Sequence, residues 1–377
     1  MVWIGVAGCV HGRLDFLYEH FLDQIRERQI ECKLLLCCGD FQSTRDEADL
    51  DSMECPPKYR TLGDFPKYYS GERLAPCLTI FVGGNHEASR YLQELPLGGW
   101  VAPRIFYLGR TGILRFEGSG FRIGGISGIY HRKDYLRPRD EAMPLSGPNL
   151  RSVYRFRKYE WRLLLHALQW NALDIEERSG ADTREPHAGC DVFLSHDWPR
   201  GVMAHGDCSS LWKRKPWMRD EYHRGVDGAP AMKELLESSA APRYWFAAHR
   251  HCHYVAHTSN GTCFTALDQT LPGCTFLTFF ELPGTAPDDL ASSIELDPQW
   301  LRCLQRHFGG SQCPISPITL ATLERIFQST QTIQPAEATH RTEGQVFPQN
   351  PQTAHILEQI GVPWESLYAS TAAPDAI

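Results

Sequence analysis

Five short apolar runs of this chain each end in side chains that commonly bind metal ions. These side chains are Cys9 and His11, Asp40, Asn85 and His86, His196, and His249 and His251. Singly, each has an ordinary explanation, because a lone histidine is more often a hydrogen-bonded structural residue and Asp40 could be a turn residue or a helix cap. A thiol, a carboxylate, an amide and several imidazoles, each placed at the end of an apolar run, are together hard to explain by chance. The series therefore predicts a metal centre.

The hydrophobic pattern predicts the elements that would bring these side chains together. Five strands are predicted at residues 2–7, 33–38, 78–82, 191–194 and 244–247, and each comes directly before a group of candidate ligands. Further strands are predicted at residues 105–108, 113–116 and 121–126, and helices at residues 14–25 and 157–173. In sheet-based α/β folds, ligands bind beyond the carboxyl ends of the strands. The sequence therefore predicts an α/β fold with its metal centre at that position.

Composition limits the classes of protein to which the chain can belong. It has 377 residues, of which 42% are hydrophobic, and it lacks a run of about 20 apolar residues that could span a bilayer. No basic leader precedes the first strand, so we expect no signal peptide and an intracellular protein. The formal net charge of −7 argues against coating of nucleic acid by the whole surface. Any contact with nucleic acid must then be local.

The thirteen cysteines do not indicate a disulfide framework. Their number is odd, Cys37 and Cys38 are adjacent within an apolar run, and none has CxxC spacing, so we expect most to be reduced packing residues. Cys9 could also be a packing residue, but its position two residues before His11 favours a ligand. A thiolate is a soft ligand that prefers Zn²⁺ or Fe²⁺ to Mg²⁺.

The ordered motifs resemble those of the calcineurin-like metallophosphoesterase superfamily. Its usual elements are Asp-x-His, Gly-Asp, Gly-Asn-His-Glu, a lone His and Gly-His-x-His. Cys9 replaces the first Asp and Ala248 replaces the last Gly. With both departures the motifs resemble those of the RNA lariat debranching enzymes within that superfamily. Longer matching runs extend the resemblance over most of residues 1–280. Residues 170–185 look like an insertion and have no predicted role.

The resemblance implies a metallophosphoesterase β-sandwich flanked by helices, with a smaller C-terminal domain. On this basis residues 1–285 form the catalytic domain and residues 286–377 a C-terminal debranching-enzyme domain. Its residues 331–354, rich in Thr, Gln and Pro, are predicted to be a loose linker, with a helix before them at residues 320–327 and a segment after them, at 356–367, that folds back.

The resemblance also implies two divalent metal ions bridged by Asp40. The first ion would be held by Cys9, His11, Asp40 and His251, and the second by Asp40, Asn85, His196 and His249. We expect Zn²⁺, Fe²⁺ or Mn²⁺, including a mixed pair. His86 is implied as the general acid that protonates the leaving 2′ oxygen while metal-activated hydroxide attacks phosphorus. For Glu87, tuning of His86 and a position at the N-terminus of a helix over residues 88–95 both remain open.

Residues 129–158 combine many basic and aromatic side chains with few acidic ones. Such a mixture suits the phosphates and unpaired bases of RNA, and by resemblance this is the lariat-recognition loop. Its candidate substrate-binding residues are Tyr130, Arg132, Lys133, Tyr135, Arg151, Ser152 and Tyr154. A solvated loop with chance charge is the alternative interpretation.

The implied reaction is hydrolysis of the 2′-5′ phosphodiester at the branch point of an excised intron lariat to give linear RNA. Two other classes remain open: a different metallophosphoesterase, against which Cys9 and the basic segment argue, and a non-catalytic scaffold, against which the complete ligand set argues. The expected partner is branched RNA and not a membrane, the expected state is a monomer, and no protein partner is indicated. Nuclear residence, with shuttling to the cytoplasm left open, follows from the resemblance alone, because Lys213-Arg214-Lys215 is too short for a convincing import signal.

Overall fold

A computed structural model describes residues 2–141, 143–178, 189–282, 289–311, 314–331 and 349–367. Its strands are β1 (Val2–Ala7), β2 (Cys32–Cys37), β3 (Leu78–Phe81), β4 (Gly99–Ala102), β5 (Ile105–Tyr107), β6 (Thr111–Phe116), β7 (Arg122–Ile126), β8 (Val192–Ser195), β9 (Tyr244–Ala247), β10 (Tyr254–His257), β11 (Cys263–Ala266), β12 (Leu277–Leu282) and β13 (Ile294–Leu296). Its α-helices are α1 (Leu14–Arg28), α2 (Glu47–Leu50), α3 (Phe65–Tyr69), α4 (Ser89–Leu92), α5 (Arg132–Tyr135), α6 (Asn149–Ser152), α7 (Lys158–Arg178), α8 (Ser209–Arg214), α9 (Pro216–His223), α10 (Pro230–Leu236), α11 (Leu290–Ser293), α12 (Pro298–His307), α13 (Leu320–Gln331) and α14 (Pro351–Gln359). Short 3-10 helices lie at Pro57–Tyr59, Val202–His205 and Trp364–Leu367.

The strands form two sheets that pack face to face. The first has the order β12-β1-β2-β3-β5-β4 and the second the order β10-β11-β9-β8-β7-β6-β13. Val6 and Leu36 of the first sheet and Ile123 and Phe193 of the second belong to one buried hydrophobic cluster, so the two sheets share a core. A second buried cluster includes Phe21 of α1 and lies on the other face of the first sheet. The predicted α/β fold, a β-sandwich flanked by helices, is confirmed.

The predicted strands agree with the observed ones to within about two residues, because buried parallel strands read as continuous apolar runs. The helices differ more in length from the prediction, and α1 ends at Arg28 instead of residue 25. The helix α7 continues to Arg178, so the first part of the apparent insertion at residues 170–185 is helical, while residues 179–185 lie outside the described residues. The helix predicted at residues 88–95 is only the four-residue α4.

The described residues after 289 pack directly on the sandwich. The strand β13 pairs antiparallel with β6, and α12 packs against α7. On the other sheet, Gln352 of α14 exchanges two hydrogen bonds with the backbone of Trp100 in β4, and the Trp100 indole N–H donates to the carbonyl of Leu320 (2.8 Å). These residues therefore complete edges of both sheets and belong to the shared core. The predicted domain boundary at 285 and most of the predicted linker lie outside the described residues; α13 extends to Gln331, and α14 begins within the predicted linker.

Among the described residues, no helix combines the length and the apolar character needed to cross a membrane. The cysteines of these residues are free thiols and most of them are buried, in agreement with the packing interpretation.

Candidate metal centre

All of the predicted ligands lie in loops at the carboxyl ends of five strands. The strands β1, β2 and β3 are neighbours in the first sheet, and β8 and β9 are neighbours in the second. Because both sets run parallel within their sheets, their ends meet at one end of the sandwich. The topology therefore brings together ligands as far apart in sequence as His11 and His251, which are separated by 240 residues.

Four predicted ligands form a compact cluster. One donor atom from each of Cys9, His11, Asp40 and His251 lies within 4.8 Å of the others. The Nε2 atom of His11 lies 3.0 Å from Nε2 of His251 and 3.7 Å from Oδ2 of Asp40. Ligands bound at about 2.0–2.3 Å from one metal ion are separated from each other by about 3–4 Å. The cluster therefore has the dimensions of a single metal site.

A second group of predicted ligands lies on the other side of Asp40. The Nε2 atom of His196 lies 3.2 Å from Oδ1 of Asp40 and 3.2 Å from Oδ1 of Asn85. The imidazole of His249 is 5.0 Å from that of His196, measured between ring centroids. Nδ1 of His196 lies 2.8 Å from the carbonyl oxygen of Cys38. Donation to this carbonyl places the hydrogen on Nδ1 and leaves the Nε2 lone pair directed at the centre.

Asp40 connects the two groups through its two carboxylate oxygens. Oδ2 faces His11 and Oδ1 faces His196, and the residue is only 1% exposed. Burial opposes ionisation, but the charges of His196 and His11 hold the pKa of Asp40 well below its usual value. An ionised carboxylate directed two ways is the group that a bridge between two cations requires.

Backbone strain is concentrated in the ligand loops. His11, Asp40, His249 and His251 have φ values of 50°, 48°, 64° and 46°, in the left-handed region that costs a non-glycine residue about 1–2 kcal/mol. The loops also pack closely, because a β-carbon at Gly84 would overlap the Asp40 carboxylate. Strain of this kind persists only where the surrounding contacts determine the conformation, and it is typical of functional sites.

Glu87 ties two of these loops together. Its Oε1 accepts the backbone N–H groups of Phe41 (2.7 Å) and Gly84 (3.0 Å), and its Oε2 accepts that of Gln42 (2.8 Å). The side chain therefore joins the loop after Asp40 to the loop after β3. None of these three bonds goes to an N–H group of α4, which begins at Ser89, two residues after Glu87. Tuning of His86 and the position before the helix both stay predictions. The sequence did not indicate this role of Glu87, since the bonding links residues more than forty positions apart.

His86 lies beside the cluster. Its backbone N–H donates to Oδ1 of Asp40 (2.8 Å), and its half-buried imidazole is 5.7 Å from that of His11. The backbone bond thus fixes the residue next to the carboxylate that faces both ligand groups.

Comparison with known proteins identifies the family. Residues 2–253 match the family model of the calcineurin-like phosphoesterases. The chain belongs to the calcineurin-like phosphoesterase family. The lariat debranching enzyme of Arabidopsis thaliana is 36% identical to this chain, over 96% of this chain and 86% of that protein. Those of Homo sapiens and Mus musculus are 43% and 42% identical, over 80% of this chain and 53% and 52% of their own lengths.

The chain therefore spans about half the length of the human and mouse relatives. The resemblance to lariat debranching enzymes predicted from the motifs is confirmed. A solved dimetal phosphatase from Danio rerio has a TM-score of 0.40 and 12% identity, covering 74% of this chain and 91% of that chain, and is too distant to carry an argument.

The donor set of the centre fits divalent metal ions. Burial, together with the Asp40 carboxylate, raises the pKa of the Cys9 thiol well above its ordinary value. A bound cation reverses this effect, because a coordinating thiol loses its proton. The backbone N–H of His249 already donates to the Cys9 sulfur (3.2 Å), which favours the thiolate. A buried thiol and carboxylate surrounded by imidazoles are suited to a divalent cation.

Several arginines of segment 129–158 form ion pairs with nearby carboxylates of the protein. Arg139 pairs with Glu160 (2.6 Å), and the fully buried Arg157 pairs with Glu141. Arg155 similarly pairs with a carboxylate of its own segment. These arginines hold the segment in shape, so the sequence overestimates the charge that it presents to a substrate.

The structure divides the predicted substrate-binding residues into exposed and internal groups. Arg132 and Lys133 are exposed, whereas Ser152 is buried and its hydroxyl donates to Glu141 (2.6 Å), which gives it a structural role. Arg151 is exposed but paired with Glu54, and Tyr154 is half-buried. The rings of Tyr130 and Tyr135 pack against each other and against Phe156.

Proposed function

We propose that the protein hydrolyses the 2′-5′ phosphodiester bond at the branch point of excised intron lariats and releases linear RNA. The observation that carries the proposal is a buried Cys9 thiol where phosphoesterases of this family usually have a carboxylate, in the same cluster as His11, Asp40 and His251. The substrate is supported by relatives that are named lariat debranching enzymes, one of them matching 96% of this chain.

In the proposed centre, each of the two ligand groups would hold one divalent metal ion. The first group is Cys9, His11, Asp40 and His251, and the second is Asp40, Asn85, His196 and His249. The thiol favours Zn²⁺ or Fe²⁺ in the first site, while the nitrogen and oxygen donors of the second also suit Mn²⁺. When bound, two such ions neutralise charge on the phosphate and lower the pKa of the attacking water.

The protein's own residues orient the reaction and move a proton. Asp40 holds its two oxygens toward the two ligand groups and, through Oδ1, accepts the backbone N–H of His86. His86 donates a proton to the 2′ oxygen as it leaves phosphorus, a role to which an imidazole is suited near neutral pH. A general acid of this kind accelerates hydrolysis by about 10²–10⁴-fold.

Segment 129–158 is the proposed contact surface for RNA near the branch. Its exposed Arg132 and Lys133 would pair with phosphates, and the half-buried Tyr154 ring is available for stacking. The proposal places the monomeric protein in the nucleus, where lariats are excised, and leaves shuttling to the cytoplasm open.

Cleavage of a synthetic branched RNA with one 2′-5′ linkage tests the proposal. A linear 3′-5′ RNA of the same composition is the control, and the protein is reconstituted with Zn²⁺, Fe²⁺ or Mn²⁺. We expect selective loss of the branch. Survival of the branch with hydrolysis of bis(4-nitrophenyl) phosphate would keep the phosphoesterase chemistry and refute the substrate.

A further inference from the structure

A second group of basic and aromatic side chains lies on α8, α9 and the turn between them. We call this the α8–α9 surface; its members are Lys213, Arg214, Lys215, Trp217 and Arg219. All are exposed except Lys215, which is half-buried. Within the described part of the chain, none of the three consecutive cations forms an ion pair with a carboxylate. In segment 129–158, by contrast, most arginines are already paired.

Arg250 attaches this surface to the metal centre. It lies in sequence between the proposed ligands His249 and His251, and its guanidinium carbon is 5.6 Å from the ring centroids of both Trp198 and Trp217. Its Nη1 also pairs with Glu221 of α9 (2.7 Å). The Trp217 indole is therefore held against the ligand loop, and it is 46% exposed.

The α8–α9 surface has a rigid base. Leu211 of α8 and Met218 of α9 are buried in the shared core. The Trp212 ring packs against Tyr222 at 5.6 Å and His223 at 5.9 Å between ring centroids, which holds the two helices together. Little backbone freedom remains to be lost when a ligand binds.

The α8–α9 surface and segment 129–158 both attach to the loop after β8. Asp197 in this loop accepts the backbone N–H of Tyr130 (3.0 Å). The next residue, Trp198, packs against Arg250. Since His196 precedes them in the same loop, both surfaces border the proposed metal centre.

We propose that the α8–α9 surface binds one arm of the branched RNA, with a base stacked on Trp217 and phosphates paired with Lys213, Arg214 and Lys215. Unpaired cations beside an exposed indole suit single-stranded nucleic acid, because every base has a face that can stack and every linkage carries a negative charge. The inference rests on the proposed function. Three strands leave a branch nucleotide, so a surface additional to segment 129–158 is needed to hold them.

Binding of a fluorescently labelled branched RNA, followed by anisotropy at several salt concentrations, tests this surface. The protein is the full chain, loaded with Zn²⁺ and carrying His86→Ala so that cleavage is slow. Lys213→Ala with Arg214→Ala should reduce the slope of log K against log salt by about 1.4, at about 0.7 for each single-strand phosphate contact. Trp217→Ala should raise the Kd about 5- to 150-fold through lost stacking.

A matched control removes the same charge elsewhere. Lys233→Ala with Arg325→Ala takes two exposed cations from α10 and α13 and should leave the slope near its original value. Equal losses in the control and in the Lys213 and Arg214 variant would overturn the proposal, as would an unchanged slope and Kd in all variants. If Trp217→Ala loses its metal ions, the salt slope of the variant with Lys213→Ala and Arg214→Ala decides whether the surface binds RNA, because both of these side chains are exposed.

Failure of this proposal can be distinguished from failure of the proposed function. Cleavage is scored with the unsubstituted protein, so an intact branch refutes debranching. Variants that bind as tightly as their parent refute the α8–α9 surface alone. Absence of RNA binding by the parent would overturn the α8–α9 surface, while cleavage by the unsubstituted protein alone decides debranching.

Discussion

Replacing Glu87 with glutamine should weaken the metal centre without unfolding the protein. The amide oxygen of glutamine can still accept hydrogen bonds from the N–H groups of Phe41 and Gly84, whose nitrogens lie 2.7 and 3.0 Å from Oε1 in the native protein. Its NH₂ group, however, would face the N–H of Gln42, which now lies 2.8 Å from Oε2. One buried donor then lacks an acceptor, which costs about 1–3 kcal/mol. Folded proteins have about 5–15 kcal/mol of stability, so the fold should survive.

The effect on metal binding follows from the loop that is released. Gln42 lies two residues after Asp40, whose carboxylate faces both ligand groups. Groups that orient metal ligands typically contribute 10- to 100-fold to affinity or activity. We therefore expect Glu87→Gln to bind metal about 10–100-fold more weakly, with the free energy of unfolding lowered by no more than about 3 kcal/mol.

Two measurements separate these effects. Competition with a chromophoric chelator measures metal affinity, and urea denaturation of the metal-free protein measures the free energy of unfolding. Glu295→Gln is the control, because Glu295 is also buried and pairs with Arg115 (2.6 Å) but lies in β13 at the edge of the second sheet. The control should lose stability and keep its metal affinity. The same result for Glu87→Gln would refute the positioning role.

Three further substitutions test individual groups of the centre. His86→Ala should lower kcat for branched RNA about 10²–10⁴-fold with unchanged metal stoichiometry, and an unchanged kcat would exclude His86 as the general acid. Cys9→Asp should weaken Zn²⁺ binding and raise turnover with Mn²⁺ relative to Zn²⁺, because a carboxylate is a harder ligand; an unchanged ratio of the two turnover rates would contradict a ligand role. Gly84→Ala should deplete metal, because its β-carbon would overlap the Asp40 carboxylate, whereas Gly83→Ala, with contacts of 3.4 Å or longer, should retain it. Equal metal content in the two alanine variants would show that the loop can move aside.

The central strands and the ligand types were predictable from the sequence, because both depend on local features. A buried parallel strand reads as an apolar run, and the polar residue that follows it is visible at once. Thus β1 and β9 have the predicted bounds, and the residues directly after them lead into Cys9 and His249. Helix ends were less predictable: α4 is shorter than expected and α7 is longer.

Contacts between distant parts of the chain were decided by the tertiary structure. The sequence shows that segment 129–158 is rich in arginine, but only the folded chain shows that Arg139 and Arg157 form ion pairs with Glu160 and Glu141, respectively. Ser152 is internal for the same reason.

The sequence by itself therefore determined which chemical groups stand at the strand ends and in what order. Only the tertiary structure decided that the two oxygens of Asp40 face different histidines, that Glu87 joins two ligand loops, and that Trp217 lies against Arg250. The physical reason is that ligand type and strand pattern are carried by neighbouring residues. Distances across a site depend instead on strand order and loop conformation, which are set by packing of the whole core.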